Sequence, residues 1–189
     1  KNKYLESKLT GCITFIDIKL KNIKIESNYS LCEDSFNFIR SSGSVSKADI
    51  KNSFSDGLDL DFSNLIIKDL YINNSKNDCI DFSYGIYQVL KSKIENCGDK
   101  AISIGEKSNV KILSSDIKNS YFGIASKDSS KVFVKDTIIN NTNFCLAAYR
   151  KKQEFSGSIV FTDEIKCDNY SKVFAVDPHS RISKKNVNF

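Results

Sequence analysis

Aspartate residues recur in one part of the chain at the spacing of a repeat, and they are the residues best suited to chemistry. Asp34, Asp56 and Asp78 follow one another at intervals of 22 residues. Asp59 and Asp81 are separated by the same 22 residues. If each interval is one coil of a solenoid, the carboxylates of one column lie about 5 Å apart. Ionised carboxylates at that distance repel each other unless they share a proton or a cation.

Two kinds of chemistry suit such a cluster. Paired carboxyl groups act as general acid and base, and a separation of about 5–9 Å suits hydrolysis of a glycosidic bond. Carboxylate oxygens also bind Ca²⁺, for which Asp59 and Asp81 are the candidate ligands. No other cofactor is indicated. The candidate catalytic residues are therefore Asp56, Asp78, Asp59 and Asp81, and Asp61 is a candidate binding residue.

An alternative interpretation gives these aspartates a structural function. An aspartate that precedes a strand accepts hydrogen bonds from nearby backbone N–H groups, and this accounts for Asp34, Asp56 and Asp78. Asp59 and Asp81 lie inside a predicted strand, so capping explains them poorly. Both interpretations stay open at this point.

Basic and aromatic residues occupy the coils that follow. A lyase or epimerase needs a cation that neutralises a uronate and a Lys or Arg that removes a proton. Lys100 is the candidate for that catalytic function, and Lys127 and Arg150 are candidate binding residues. Tyr149 is a candidate sugar-stacking residue, although aromatic residues more often fill a core or cover its end. In a chain of net charge +5, lysines also occur in such places by chance.

A ladder of apolar residues positions the aspartates. It advances by 22 residues through Phe36, Leu58, Ile80, Ile102, Ile124 and Leu146. The alternation in Leu58–Asp61 predicts a strand whose aspartates point away from the core. Two further apolar segments in each repeat predict three strands per coil. The sequence therefore predicts an all-β fold, a right-handed parallel β-helix that forms one domain over residues 1–189.

The repeat is irregular at two places. The steps from Val89 to Ile112 and from Ile94 to Ile117 are 23 residues, which predicts one inserted residue between Ile104 and Ile112 and a compensating deletion. Later, Ile138 and Ile165 are 27 residues apart, which predicts five extra residues in a loop at 150–157. Insertions of this kind often lie on the binding face of a solenoid.

Two sets of small or polar residues follow the same repeat. An asparagine column predicts stacked side chains and a left-handed backbone at every turn, and it contains Asn52, Asn74, Asn96, Asn119 and Asn141. Among the cysteines, Cys12 and Cys32 form a possible disulfide pair on adjacent coils. Cys79, Cys97 and Cys145 occupy columns of small residues, so we expect a size requirement there rather than a disulfide scaffold.

Composition excludes several classes of protein. The chain has no run of about 18 apolar residues, so no membrane span is expected. It shows no recognition motif or basic stripe for nucleic acid. It has no Met and no visible signal peptide, and we expect a fragment of a longer polypeptide with additional domains.

A family resemblance rests on three segments, Ser55–Leu60, Asn77–Ile80 and Cys97–Gly105. They resemble the right-handed β-helix (pectin-lyase-like) superfamily and are similar to polygalacturonase-type glycoside hydrolases. On that pattern Asp56 matches the first acid and Asp78 one member of an acid pair, whose other member is Asn77. Lys100 lies near the position of the catalytic His, and Lys127 matches the Lys of the cationic motif.

A second resemblance is to β-helix domains of bacterial secreted or surface proteins that have no established activity. It implies a secreted or cell-surface location. Two functions are therefore expected. The first is a non-catalytic module that presents a face for a polysaccharide or another surface partner. The second is a polysaccharide-active enzyme, either a hydrolase or a lyase or epimerase, that uses the aspartates.

Overall fold

The computed structural model describes residues 9–184, which form fourteen strands and no helix. All of the strand pairs in this range are parallel and belong to one continuous sheet. The strands are β1 (Gly11–Ile16), β2 (Lys19–Asn28), β3 (Asp34–Ile39), β4 (Ser42–Ser53), β5 (Asp56–Asp61), β6 (Asn64–Ile67), β7 (Leu70–Ser75), β8 (Ile80–Ser83), β9 (Ile86–Val89), β10 (Ser92–Gly105), β11 (Asn109–Lys127), β12 (Lys131–Tyr149), β13 (Ile159–Val176) and β14 (Arg181–Lys184). The described part of the chain has no helix long and apolar enough to cross a membrane.

Three strands make one coil, as the alternation predicted. β5, β6 and β7 form one coil, and β8, β9 and the first part of β10 form the next. In the later coils the strands run on through the corners, so β11 and β12 are continuous over 19 residues each. The register pairs Leu58 with Ile80 and Ile102 with Ile124, which confirms the 22-residue coil.

The apolar ladder forms the core. All five ladder residues that follow Phe36 are at most 1% exposed, and they belong to one continuous cluster of buried side chains. Full burial of an Ile or Leu side chain contributes about 1.5–3 kcal/mol. Because each coil contacts only its neighbours, the ladder fixes the column to which every outward residue belongs.

The predicted one-residue slip is also confirmed. Cys97 pairs with Ser120 but Lys100 pairs with Phe122, so the compensating deletion lies opposite Gly98 and Asp99. The inserted residue lies at the turn between β10 and β11, where Glu106 and Lys107 both have positive φ. This turn therefore projects further than the single-residue turns of the coils below it.

The long loop lies at the predicted place, between the end of β12 at Tyr149 and the start of β13 at Ile159. Its predicted length was wrong. Leu146 pairs with Phe174, a step of 28 residues, so the insertion has six residues rather than five. The error arose from Ile138, which was taken as a core residue but is 47% exposed.

The asparagine column forms the predicted ladder. All five of its residues have φ between 55° and 67°. Asn74 Nδ2 donates to Asn52 Oδ1 at 2.7 Å, and Asn141 Nδ2 donates to Asn119 Oδ1 at 2.8 Å. The ladder is irregular at Asn96, whose Nδ2 donates to Asn73 Oδ1.

Three disulfides join neighbouring segments at one corner of the coils. Cys12–Cys32 confirms the possible pair. Cys79–Cys97 and Cys145–Cys167 show that the expectation of a mere size requirement was wrong. The two inward columns at this corner face each other: a Cβ added at Gly57 would lie 3.0 Å from Ser75 Oγ. Small residues in facing columns are therefore close enough for a disulfide.

Candidate functional site

The predicted aspartates lie together on the outward face of the strands that begin each coil. We call this group the acidic cluster; it consists of Asp34, Asn37, Asp56, Asp59, Asp61, Asp78 and Asp81. Backbone register places Asp34 beside Asp56, and Asp59 between Asn37 and Asp81. Adjacent strands lie about 4.8 Å apart, so each carboxyl group has another within reach.

The outward face is less exposed than the alternation suggested. Asn37 and Ser103 are fully buried in the same column in which Asp59 and Asp81 are half-buried. The neighbouring columns carry longer side chains, among them Lys127, which covers Ser103 with a 2.7 Å hydrogen bond from Nζ to Oγ. The carboxyl groups therefore lie in a depression where they are poorly solvated.

Asp56 and Asp78 have a structural function, but the backbone N–H groups that they bind lie one coil further on and not in the local turn that capping predicted. Asp56 Oδ1 accepts hydrogen bonds from the backbone N–H of Asp78 at 2.9 Å and from Asn77 Nδ2 at 2.7 Å. Asp78 Oδ1 accepts the backbone N–H of Lys100 at 2.9 Å. Each carboxylate thus fixes the backbone of the following coil.

Burial dominates the electrostatics of these two residues. It raises the pKa of Asp56, although the bonds from Asp78 and Asn77 oppose the shift. It raises the pKa of Asp78 to about 6, and the Lys100 charge opposes the rise. Asp78 is therefore mostly ionised at neutral pH.

Asp59 and Asp61 form a proton-sharing pair. Asn37 Nδ2 donates to Asp59 Oδ2 at 2.6 Å and to Asp61 Oδ2 at 3.2 Å, and the two carboxyl groups share a hydrogen bond. Burial, followed by the charge of Asp61, raises the pKa of Asp59 to about 9. Burial also raises the pKa of Asp61, against the bond from Asn37. A carboxylic acid is therefore present at this pair at neutral pH.

Asp34 and Asp81 have oxygens without partners. Asp34 Oδ2 and Asp81 Oδ1 are buried and accept no hydrogen bond from the described residues. Burial raises the pKa of Asp34 to about 7, and the nearby carboxylate of Asp56 adds to the rise. Buried acceptors of this kind are rare in folded proteins and commonly mark a functional position.

The lysines beside the cluster are engaged by protein groups. Lys100 Nζ contacts Asp99 Oδ2 and lies 3.4 Å from Asp78 Oδ1. Burial opposes the charge on Lys100, but Asp99 and Asp78 outweigh it and raise its pKa. Lys100 therefore stays protonated, whereas the base of a lyase must lose its proton.

Above the acidic cluster the same face becomes aromatic. A depression of about 510 Å³ is lined by Phe122, Phe144, Tyr149, Ala175, Val176 and Asp177, and we call it the aromatic depression. The rings of Phe122 and Phe144 stack with centroids 5.0 Å apart. Tyr149 thus lies where sugar stacking was predicted. Arg150 points to solvent at its border, and its backbone N–H donates to Asp177 Oδ2 at 2.8 Å.

Comparison with known proteins identifies the fold family. A family model described as right handed beta helix region matches residues 11–160. The chain belongs to the right-handed β-helix family. No significant match was found among curated proteins.

Solved structures similar to this β-helix include catalytic domains of GH87 alpha-1,3-glucanase. A variant in complex with tetrasaccharides aligns at 12% identity with a TM-score of 0.42, over 89% of this chain and 48% of that one. The domain in complex with nigerose aligns at 12% identity with a TM-score of 0.39, again over 89% and 48%. The chain spans about half the length of these structures.

Sequence reasoning missed two polar contributions to the site of this β-helix. Asn37 bridges Asp59 and Asp61, and the 22-residue step alone could have placed it in their column. Glu106 Oε2 accepts a hydrogen bond from Ser83 Oγ at 2.7 Å, and Glu106 Oε1 forms an ion pair with Lys152 Nζ of the long loop at 2.5 Å. That contact could not be predicted, because a loop of this length has no register with the coils.

The predicted Ca²⁺ site at Asp59 and Asp81 stays a prediction. Among residues 9–184, no group of three or more His, Cys, Asp or Glu side chains is arranged to hold a metal ion. A proton shared by Asp59 and Asp61 relieves the repulsion that first suggested a cation.

Proposed function

We propose that this β-helix binds a polysaccharide over the acidic cluster and hydrolyses it by acid–base catalysis. The observation that carries the proposal is the Asp59–Asp61 pair, which burial keeps protonated beside Asp81 on the neighbouring strand. In glycoside hydrolysis the acid and the base are usually two carboxyl groups in different environments, so that one of them keeps its proton.

Asp59 is the proton donor in this proposal. Its raised pKa keeps the proton that the leaving glycosidic oxygen needs, and Asp61 shares that proton until it is transferred. The attacking water molecule gives up a proton in the same reaction, which restores the protonated pair. Asp81 faces Asp59 across the strand pair, and its Oδ1 has no partner among the described residues. It therefore acts on the sugar or on a water molecule. Asp56 and Asp78 shape the site by holding successive coils together.

A lyase or epimerase mechanism is less well supported. It requires a neutral Lys or Arg as base, and the pKa of Lys100 is raised by its two carboxylate partners after burial has opposed them. Lys127 donates its Nζ proton to Ser103 and lies beneath the surface.

Asp59→Asn tests the hydrolytic function. The wild-type chain and the variant are incubated with a panel of polysaccharides, and new reducing ends are counted. We expect the variant to lose about 10²–10⁴-fold in rate, because it removes the proton donor. Asp49→Asn is the matched control, since Asp49 lies on β4 outside the site, where it pairs with Lys51 at 2.9 Å. Equal rates for both variants contradict the proposal.

A non-catalytic binding module is the second candidate. One observation favours it: Asp56 and Asp78, the residues that match the polygalacturonase pattern, are committed to backbone hydrogen bonds. Retention of a polysaccharide without new reducing ends supports this function. A secreted or cell-surface location and further domains in the same polypeptide belong to either proposal, and the three disulfides are compatible with an oxidising compartment.

A further inference from the structure

Three oxygens of the acidic cluster lack a hydrogen-bond donor. Asp34 Oδ2, Asn37 Oδ1 and Asp81 Oδ1 are buried acceptors without a partner among residues 9–184. Asp34 is only 3% exposed and Asn37 only 1%, so bulk water does not replace the missing bonds. A ligand that satisfies these groups must bring O–H or N–H groups. A uronate also carries hydroxyl groups, but its ionised carboxylate adds acceptors and no donor.

The cations of the site are already occupied. Lys100 is held by Asp78 and Asp99, Lys127 by Ser103, and Lys152 by Glu106. A uronate that bound one of these lysines would displace a protein partner and leave it buried without a bond. Further up the same face, Arg150 and Lys172 are exposed beside the aromatic depression, and Lys172 follows Phe144 in its column.

Carboxyl groups outnumber ammonium groups on the face. Around the acidic cluster the acidic side chains are Asp34, Asp56, Asp59, Asp61, Asp78, Asp81, Asp99 and Glu106, and the basic ones are Lys100, Lys127 and Lys152. The aromatic depression adds Asp177 on the acidic side and Arg150 and Lys172 on the basic side, so acidic groups remain in excess. Even with one proton on the Asp59–Asp61 pair, the local potential is negative. A negative potential repels a polyanion and slows its association.

The aromatic depression adjoins this region. Tyr149 follows Lys127 in the column that runs up from Asp61 through Ser83 and Gly105, so its ring lies on the same face above the acidic cluster. Phe122 and Phe144 lie in the column that continues upward from Asp78 and Lys100. Mostly apolar sites with a few polar groups bind uncharged ligands. The C–H faces of neutral sugar rings match such a surface.

We propose that the ligand of this face is a neutral, hydroxyl-rich polysaccharide, which extends from the acidic cluster past Lys100 onto the aromatic depression. The inference rests on the proposed function and names its substrate class. It replaces the acidic polysaccharide that the positive net charge suggested, because the charge of the whole chain differs in sign from the charge of the site.

Affinity electrophoresis tests the class of ligand. Wild-type protein is run through gels that contain a neutral polysaccharide (starch, dextran, a β-1,3-glucan, mannan, xylan or galactan) or a polyuronate (polygalacturonate or alginate). We expect retardation by at least one neutral polysaccharide and by neither polyuronate. Retardation by a polyuronate, or by none of the neutral polysaccharides, overturns the inference.

The outcome separates this inference from the proposed function. Retardation by a neutral polysaccharide without new reducing ends leaves the ligand class correct and the hydrolysis wrong. Cleavage of a polyuronate would show that the hydrolysis is correct and the ligand class is wrong. Arg150→Gln is included because Arg150 is the exposed cation at the border of the depression. Uronate binding that disappears in this variant would place the ligand site at the border instead.

Phe144→Ala tests the contribution of the aromatic depression. We expect affinity for the retarding polysaccharide to fall about tenfold, the loss of one stacking contact. Phe144→Tyr should retain affinity, and Tyr71→Ala should not change it, since Tyr71 lies between Lys51 and Lys93 on another face. Equal melting temperatures establish that all three variants fold. Unchanged affinity of Phe144→Ala contradicts the path of the ligand.

Discussion

The acidic cluster and the aromatic depression lie on the same outward face of consecutive coils, yet they carry opposite chemistry. In one column Asp56 and Asp78 give way to Phe122 and Phe144, with Lys100 at the boundary. The backbone register is continuous across that boundary, apart from the single slip opposite Gly98 and Asp99. Chemistry is therefore set by which side chain fills each column and not by a change of fold.

The two regions differ in what they contribute to stability. Ala125 and Ala147 are fully buried and continue the column of Asp59 and Asp81 without any charge. The carboxyl groups below them are buried with raised pKa values, so the folded state disfavours their ionisation. Retaining such groups lowers the stability of this region at neutral pH.

Loss of single disulfides should separate the two regions most clearly. Cys79–Cys97 lies under the acidic cluster, next to Asp78, and Cys145–Cys167 lies under the aromatic depression. Replacing either pair with serine should lower the free energy of unfolding by about 3 kcal/mol, since both close loops of similar length. Only loss of Cys79–Cys97 should also slow hydrolysis. Equal effects on rate would show that the site does not depend on the local coil.

The pH dependence of stability should arise from the acidic cluster. The pKa values of Asp34, Asp59 and Asp78 are raised to about 7, about 9 and about 6, whereas an aspartate in the unfolded chain has a pKa of about 3.9. The folded chain therefore holds more protons between these values, and stability falls as the pH rises from about 4 to about 9. Melting temperatures at pH 5 and pH 9 measure the loss.

Two variants assign that loss to one region. Asp59→Asn should flatten the profile, because its side chain does not titrate. Asp177→Asn, at the aromatic depression, should not change it between pH 5 and 9. Burial opposes ionisation of Asp177, but its hydrogen bonds from the backbone N–H groups of Arg150 and His179 and from the Ser180 side chain together outweigh burial and lower its pKa. A profile that keeps its slope in Asp59→Asn would contradict the assignment.

Substitutions in the asparagine ladder should have the most similar effects on stability in the two regions. Asn74 lies on a coil of the acidic cluster and Asn141 on a coil of the aromatic depression, and both have positive φ. Replacement by alanine should cost about 1–2 kcal/mol at either position, because alanine adopts this conformation poorly. Denaturant unfolding of the two variants gives the comparison. A difference of more than about 1 kcal/mol would show that the coils are not equivalent outside the site.

Sequence alone predicted the features that repeat. The 22-residue ladder predicted the coil, and the coordinated 23-residue steps predicted the slip at Cys97 and Lys100. The asparagines predicted their own ladder, because one conformation recurs at every turn. The columns also brought Asp59 beside Asp81.

The remainder depended on contacts between columns. Two disulfides were missed because each joins two different columns: Cys79 faces Cys97 of a small-residue column, and Cys145 faces Cys167, which continues the apolar column of Ile139. Which columns face each other is a property of the corner and not of either column. The burial of Asp59 was missed for a related reason: alternation tells which side of a strand a residue occupies, but not how tall its neighbours are. Its pKa follows from that burial.

The protonation state of Asp59 tests the central claim most directly. Titration of its side-chain carbon by nuclear magnetic resonance, in protein labelled with ¹³C at aspartate and assigned with Asp59→Asn, gives the pKa. The burial of Asp59 predicts a carboxyl group that stays protonated at pH 7 and has a pKa of about 9. A pKa of about 4, as in an exposed aspartate, would contradict this prediction and leave the proposed hydrolysis without a proton donor.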